Sequence, residues 1–138
     1  MNRWIGGGIV VVFLAAGCSD GPRIVQIEGT ATRKGQPVPN ITVFFMPIIE
    51  GRRSWAITDE EGKFKLTNSA EVQGVPVGKH KVSVAFRPKD PKEELDIQSG
   101  RKKLHPEQQA ILKKYAVNPG IIEVEIKEGN QKVHLELD

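Results

Sequence analysis

Thr58-Asp59-Glu60-Glu61-Gly62-Lys63-Phe64-Lys65-Leu66 is the stretch from which the fold of this chain is read. A polar turn ends in a glycine, and an apolar residue then stands at every second position. Asp59 can accept hydrogen bonds from backbone N–H groups two or three residues on, and Gly62 can take positive φ without a steric cost. Phe64 and Leu66 share one face while Lys63 and Lys65 share the other, which is the pattern of a half-buried strand. The same period extends outward. Upstream, Val25, Ile27 and Gly29 share a face, as do Ile41, Val43 and Phe45, and Trp55 and Ile57 alternate with Ser54, Ala56 and Thr58. Downstream, Val82, Val84 and Phe86 form one such set, Ile122, Val124 and Ile126 a second, and Val133, Leu135 and Leu137 a third. Glu128-Gly129-Asn130 reads as the turn of a last hairpin.

Short strands with one apolar and one polar face predict an all-β fold. The expected architecture is a seven-stranded antiparallel β-sandwich of immunoglobulin-like or prealbumin-like Greek-key topology. Phe44 and Met46 make the second face of the 41–46 strand apolar too, which predicts a central position for it. Residues 88–119 break the alternation and read as a charged insertion containing a short helix. Pro106 suits a first helical position, Glu107 a first turn and Lys113-Lys114 a last turn. Ile111 and Tyr115, at i and i+4, are expected to dock on the sheets. Residues 89–103 are expected to be a mobile excursion.

The whole chain has 138 residues, enough for one domain with its own core. A single Cys excludes a disulfide framework and any CxxC zinc site. The 20 basic and 17 acidic residues nearly balance, which argues against nucleic acid as a partner despite a pI near 9.1.

The first residues read as an address. Met1-Asn2-Arg3 is basic, and Trp4 to Ala16 is uncharged with Ile9-Val10-Val11-Val12-Phe13-Leu14 at its centre. This apolar run is shorter than the roughly 20 residues of a spanning helix and has the form of a secretory signal. Leu14-Ala15-Ala16-Gly17-Cys18 resembles the lipobox of bacterial lipoproteins. The resemblance implies cleavage between Gly17 and Cys18, lipid on the Cys18 sulfur and acylation of the new amine. Residues 1–17 are then the signal, 18–22 the lipidated Cys and its tether, and 23–138 the folded domain. Ser19 after the Cys points to the outer rather than the inner membrane.

Four segments taken in order resemble the carboxypeptidase regulatory-like, or transthyretin-like, domain. They are Glu28-Gly29-Thr30; Gly35-Gln36-Pro37-Val38-Pro39-Asn40-Ile41-Thr42-Val43; Thr58 to Leu66; and Gly74-Val75-Pro76-Val77-Gly78-Lys79-His80-Lys81-Val82. The resemblance covers about residues 24–86, and its signature positions fall on Gly35, Pro37, Val38, Thr58, Asp59, Gly62, Phe64 and Gly78. It implies structural roles for them: Gly62 permits the hairpin, Asp59 closes the turn and Phe64 enters the core. His80 stands where the family has Tyr, and Asn40 where it has a small residue.

No catalytic set, cofactor or metal is expected. His80, His105 and His134 lack metal-ligand spacing and read as exposed or half-buried imidazoles. No G-x-S-x-G elbow is present. The hydroxyisourate hydrolases, which resemble this fold, end in Tyr-Arg-Gly-Ser, whereas this chain ends Val133-His134-Leu135-Glu136-Leu137-Asp138. The expected function is therefore a non-catalytic, lipid-anchored module of the cell envelope. The membrane is engaged through Cys18, and an envelope protein or glycan through 88–119. Arg23, Arg52 and Arg53 are expected to face lipid headgroups. The alternatives are a glycan-binding module, which needs an exposed aromatic, and an undetected hydrolase. Trp55, alternating with Ile57, is expected in the core.

Overall fold

A computed structural model describes residues 21–116, 121–129 and 131–138. The expected signal, Gly17 and Cys18 lie outside these residues. The fold is mostly β, with several antiparallel sheets and two helices. The strands are β1 (Ile24–Val25), β2 (Ile27–Arg33), β3 (Gln36–Pro37), β4 (Ile41–Pro47), β5 (Ser54–Ile57), β6 (Lys63–Lys65), β7 (Val75–Pro76), β8 (Gly78–Phe86), β9 (Ile122–Ile126) and β10 (Gln131–Glu136). The helices are α1 (Pro91–Gln98) and α2 (Pro106–Tyr115).

The expectation of seven strands is not met. Each alternating run does contain a strand, but β1 is split from β2 at Gln26, and β3 and β7 are added. These extra strands are two residues long and carry no alternation to read. Two of them end on a proline at a position where an edge can tolerate the missing N–H.

One sheet has the order β5-β4-β8-β9, and β4 is internal as its apolar faces predicted. A second centres on β2, which pairs with β10, β3 and β6, and a third small sheet joins β1 to β7. The pairing is not wholly antiparallel: β10 runs parallel to β2, with Gln131 opposite Ile27 and Glu136 opposite Thr32. Of the expected Glu128-Gly129-Asn130 turn, Asn130 lies outside the described residues, and the connection at Glu128-Gly129 is accordingly not that of a hairpin. It joins β9 to β10, which lie in different sheets, and the whole intervening fold is the crossover a parallel pair requires.

The buried faces of the two large sheets meet in one core. Ile27, Ala31, Phe64, Leu135 and Leu137 come from the β2 side, and Ile41, Val43, Phe45, Val82 and Val84 from the β4 side. The Phe45 and Phe64 rings lie 6.2 Å apart across the gap. Along one border the sheets are stitched together: Trp55 and Thr67 exchange backbone hydrogen bonds of 2.9 and 2.8 Å, carrying the chain after β6 onto β5.

The strand registers sort the loops into two ends. Pro47 lies opposite His80, Ile24 opposite Pro76 and Gly78 opposite Ile126, so the 48–53 loop, Arg23 and the Glu128 turn share one end. Ile41 lies opposite Phe86 and Ala31 N–H donates to Gly62 O, so the 34–40 loop, the Asp59 turn and the helices share the other.

The insertion is more ordered than its composition suggested. α2 follows its reading closely, with Pro106 in the first turn, Lys113 and Lys114 in the last, and Ile111 and Tyr115 in the core. The expectation for 89–103 is corrected: Pro91–Gln98 is a helix. Asp90 Oδ1 accepts from Glu93 N–H at 2.8 Å and caps it, while the Glu93 carboxylate turns back to Lys89 N–H and pairs with Lys102. This reciprocal arrangement is close to a capping box and satisfies the helix start without an apolar face.

Candidate functional site

The residues that carry the resemblance, Gly78 excepted, gather towards the Asp59 end, and they do structural work; Gly78 lies at the Arg23 end, opposite Ile126. Thr58 is buried, and its Oγ1 accepts from Ile41 N–H at 3.1 Å, tying β5 to the start of β4. Asp59 Oδ1 accepts from Glu61 N–H and Lys63 N–H, both at 2.9 Å, so its reach is two and four residues. Gly62 adopts φ +74°, and an added Cβ would lie 2.5 Å from Ala31 O. Glycine is therefore required there twice over, by conformation and by close approach. The turn is not a hairpin, since β5 and β6 pair in different sheets and the Asp59 turn is the corner between them. Phe64 enters the core as expected.

Gly35, with Lys34, forms the two-residue turn between β2 and β3, both residues at positive φ. Pro37 is exposed on β3, Val38 is buried, and Gly78 opens β8. None of these presents a group that could act on a substrate.

The histidines are scattered. His80 was expected to be exposed or half-buried, but it is completely buried. It occupies the core face of β8 beside Val82, and its ring centroid lies 6.1 Å from that of Phe45. Its Nδ1 lies 3.0 Å from Gly78 O, while Nε2 has no partner. Burial holds its pKa below the usual 6.5, and the bond to Gly78 O opposes this in part. His105 caps α2, accepting from Glu107 N–H.

His134 is exposed on β10 and lies across two threonines, with Nδ1 2.8 Å from Thr30 Oγ1 and Nε2 3.1 Å from Thr32 Oγ1. The first distance is that of a hydroxyl and a base. The backbone around Thr30 is engaged on both sides, by His134 and by Lys63, so the neighbouring amides are not free to stabilise an oxyanion. The adjoining groove, about 640 Å³, mixes Lys63, Lys65 and Lys132 with Glu28 and Asp59 and favours neither sign of ligand. Among the described residues no group of three or more His, Cys, Asp or Glu is placed to hold a metal ion.

The exposed features lie elsewhere. Trp55 was expected in the core and is instead 41% exposed, because Ser54 and Ala56 take the inward positions opposite Phe45 and Val43. Phe45 and Val43 are fully buried, so the residues opposite them on β5 lie on the core face. Trp55 faces outward next to Phe44, whose ring lies 4.6 Å beneath the Arg53 guanidinium. Met46 continues this apolar face, and Ile48 and Ile49 follow it into the end loop. That Phe44 and Met46 share the second face of this strand was visible in the sequence, whereas its outward direction and the joining of Trp55 to it needed the β4–β5 register.

No family model, curated protein or solved structure matches this chain. Among the described residues no helix is long and apolar enough to cross a membrane.

Proposed function

We propose that this protein is a lipid-anchored, non-catalytic interaction module of the cell envelope, built on a β-sandwich of prealbumin-like topology and similar to the carboxypeptidase regulatory-like domain. The observation that carries the reading is the run from Met1 to Cys18: a basic start, a short apolar stretch, small residues and a single cysteine. Each buried methylene contributes about 0.8 kcal/mol, and stable anchoring takes two acyl chains or more. A diacylated cysteine with an acylated amine exceeds that. The sandwich reading is supported by the shared core of the two large sheets, and the family reading by the Thr58–Phe64 corner. Ser19 favours the outer membrane. The α1–α2 segment is at the end away from Arg23 and is the element presented to an envelope partner.

The test is the Cys18→Ala variant of the full chain. Loss of membrane association and of acyl-chain incorporation is expected, and tight membrane binding by the variant would sink the reading. Crosslinking from 89–103 in cells would then identify what the presented end touches.

A second reading, a glycan-binding module, is favoured by the exposure of Trp55 on the face it shares with Phe44 and Met46. Soluble envelope sugars should quench Trp55 fluorescence if it holds, and an unresponsive Trp55 counts against it.

A further inference from the structure

Seven large hydrophobic side chains are exposed among the described residues, and they are unevenly distributed. Ile48, Ile49 and Val72 belong to two neighbouring loops at one end, and Met46 borders them on the outer face of β4. Ile49 is 83% exposed, the most of any. The loops are braced against each other and against the first described strand. Ile48 N–H donates to Lys79 O at 3.0 Å, Asn68 Nδ2 to Ser54 Oγ at 3.1 Å, and Val77 N–H to Arg23 O at 2.9 Å. Asn68 N–H and Ser69 N–H both donate to Val72 O and hold the second loop closed. The aliphatic side chains are thus displayed on supported backbone. The 58–63 corner at the opposite end displays Asp59, Glu60 and Glu61 instead.

We propose that Ile48 and Ile49, with Val72 beside them, form a wedge that enters the interfacial layer of the bilayer and fixes the orientation of the domain on it. The occupant is a lipid surface. The inference rests on the lipid-anchor reading for its geometry: only Ser19 and Asp20 stand between Cys18 and Gly21, and a chain spans at most about 3.3–3.6 Å per residue. Acyl chains on Cys18 therefore hold the Arg23 end within reach of the membrane. Charge adds little, since Arg23, Arg52, Arg53 and Lys127 are nearly offset by Glu50, Glu71 and Glu128, with Arg23 and Glu128 paired at 2.9 Å. The apolar side chains supply the contact. The arginine stems can lie along apolar surface while their heads stay among the phosphates. A tether alone would leave the domain free to tumble, whereas a wedge next to the tether directs the α1–α2 end away from the lipid.

The full chain is prepared with Ile49→Cys or Glu60→Cys, reacted with a polarity-sensitive maleimide probe, and reconstituted in vesicles of phosphatidylethanolamine and phosphatidylglycerol carrying a shallow nitroxide lipid. The expected result is a blue shift and strong quenching at position 49, with neither at position 60. Equal behaviour at the two positions, or stronger quenching at 60, overturns the wedge. The unsubstituted chain separates this outcome from the anchor reading. If it takes up the probe, Cys18 carries no lipid and the anchor reading fails, while the difference between positions 49 and 60 still decides the wedge.

Discussion

The Phe64 ring lies flat against Gly29: a Cβ added to the glycine would sit 2.1 Å from Phe64 Cζ. The corner at Asp59 delivers Phe64 to the core, and the absence of a side chain on β2 makes room for it. Gly29→Ala should therefore destabilise the fold by roughly 1–3 kcal/mol through overpacking. Combined with Phe64→Leu, it should cost less than the sum of the two single changes, because the shorter side chain vacates the space. Urea unfolding of the single and double variants measures this coupling, and strict additivity would refute it.

The Asp59 carboxylate holds two backbone N–H groups of the corner. Asp59→Ala should cost about 1–2 kcal/mol, whereas Asp59→Asn, which keeps an acceptor oxygen, should cost less. Denaturant midpoints read the ranking directly.

Burial of His80 makes stability pH-dependent. Its folded pKa lies below the 6.5 of the unfolded chain, so over that interval the unfolded state binds more protons. Stability is full above about pH 6.5 and falls as the pH drops below it. His80→Phe, which removes the titrating ring and its unpartnered nitrogen, should flatten this limb, as thermal unfolding between pH 7 and 5 would show. An unchanged slope would mean that another group is responsible.

Glu93 acts in the same direction as His80, but below the usual carboxylate value. The hydrogen bonds from Lys102 and from Lys89 N–H hold its carboxyl below the usual 4.5. Its contribution is present above that value and is lost as the pH falls further. Glu93→Gln should remove the charge at neutral pH and raise hydrogen exchange across Pro91–Gln98 while leaving Ile41–Pro47 protected. Equal protection in both proteins would show that the carboxylate does not hold α1.

The outward placement of Trp55 is checked by a pair of changes on adjacent residues. Trp55→Ser should cost about 1 kcal/mol or less, near the range of surface substitutions. Ala56→Leu should cost roughly 1–3 kcal/mol, because Ala56 faces the core opposite Val43. The reverse ranking would place the β5 face inward.

Local signals were legible wherever the determinant is local. α2 could be read from Pro106, Glu107, Ile111, Tyr115 and the two lysines, since capping, dipole and i,i+4 spacing all act within one helix. α1 carried a local signal as well, in Asp90-Pro91-Lys92-Glu93, but the density of charge around it suggested a loop. His80 was legible in principle: it stands two residues before Val82 and four before Val84, which share the core face of β8. Trp55 was not, because alternation says which residues share a face and not which face turns inward.

The amino-acid order by itself determined the strand-forming runs, the glycine corner, the second helix and the N-terminal run that ends in Cys18. These depend on side-chain period, backbone freedom and composition, which act between near neighbours. The tertiary structure decided that β10 lies parallel to β2, that the Asp59 and Glu128 turns cross between sheets, and that Trp55 faces out while His80 faces in. It also decided that the aliphatic loops gather beside Arg23. Each of these depends on which distant segment lies opposite, and that is settled by fitting large side chains against small ones in a core shared by both sheets.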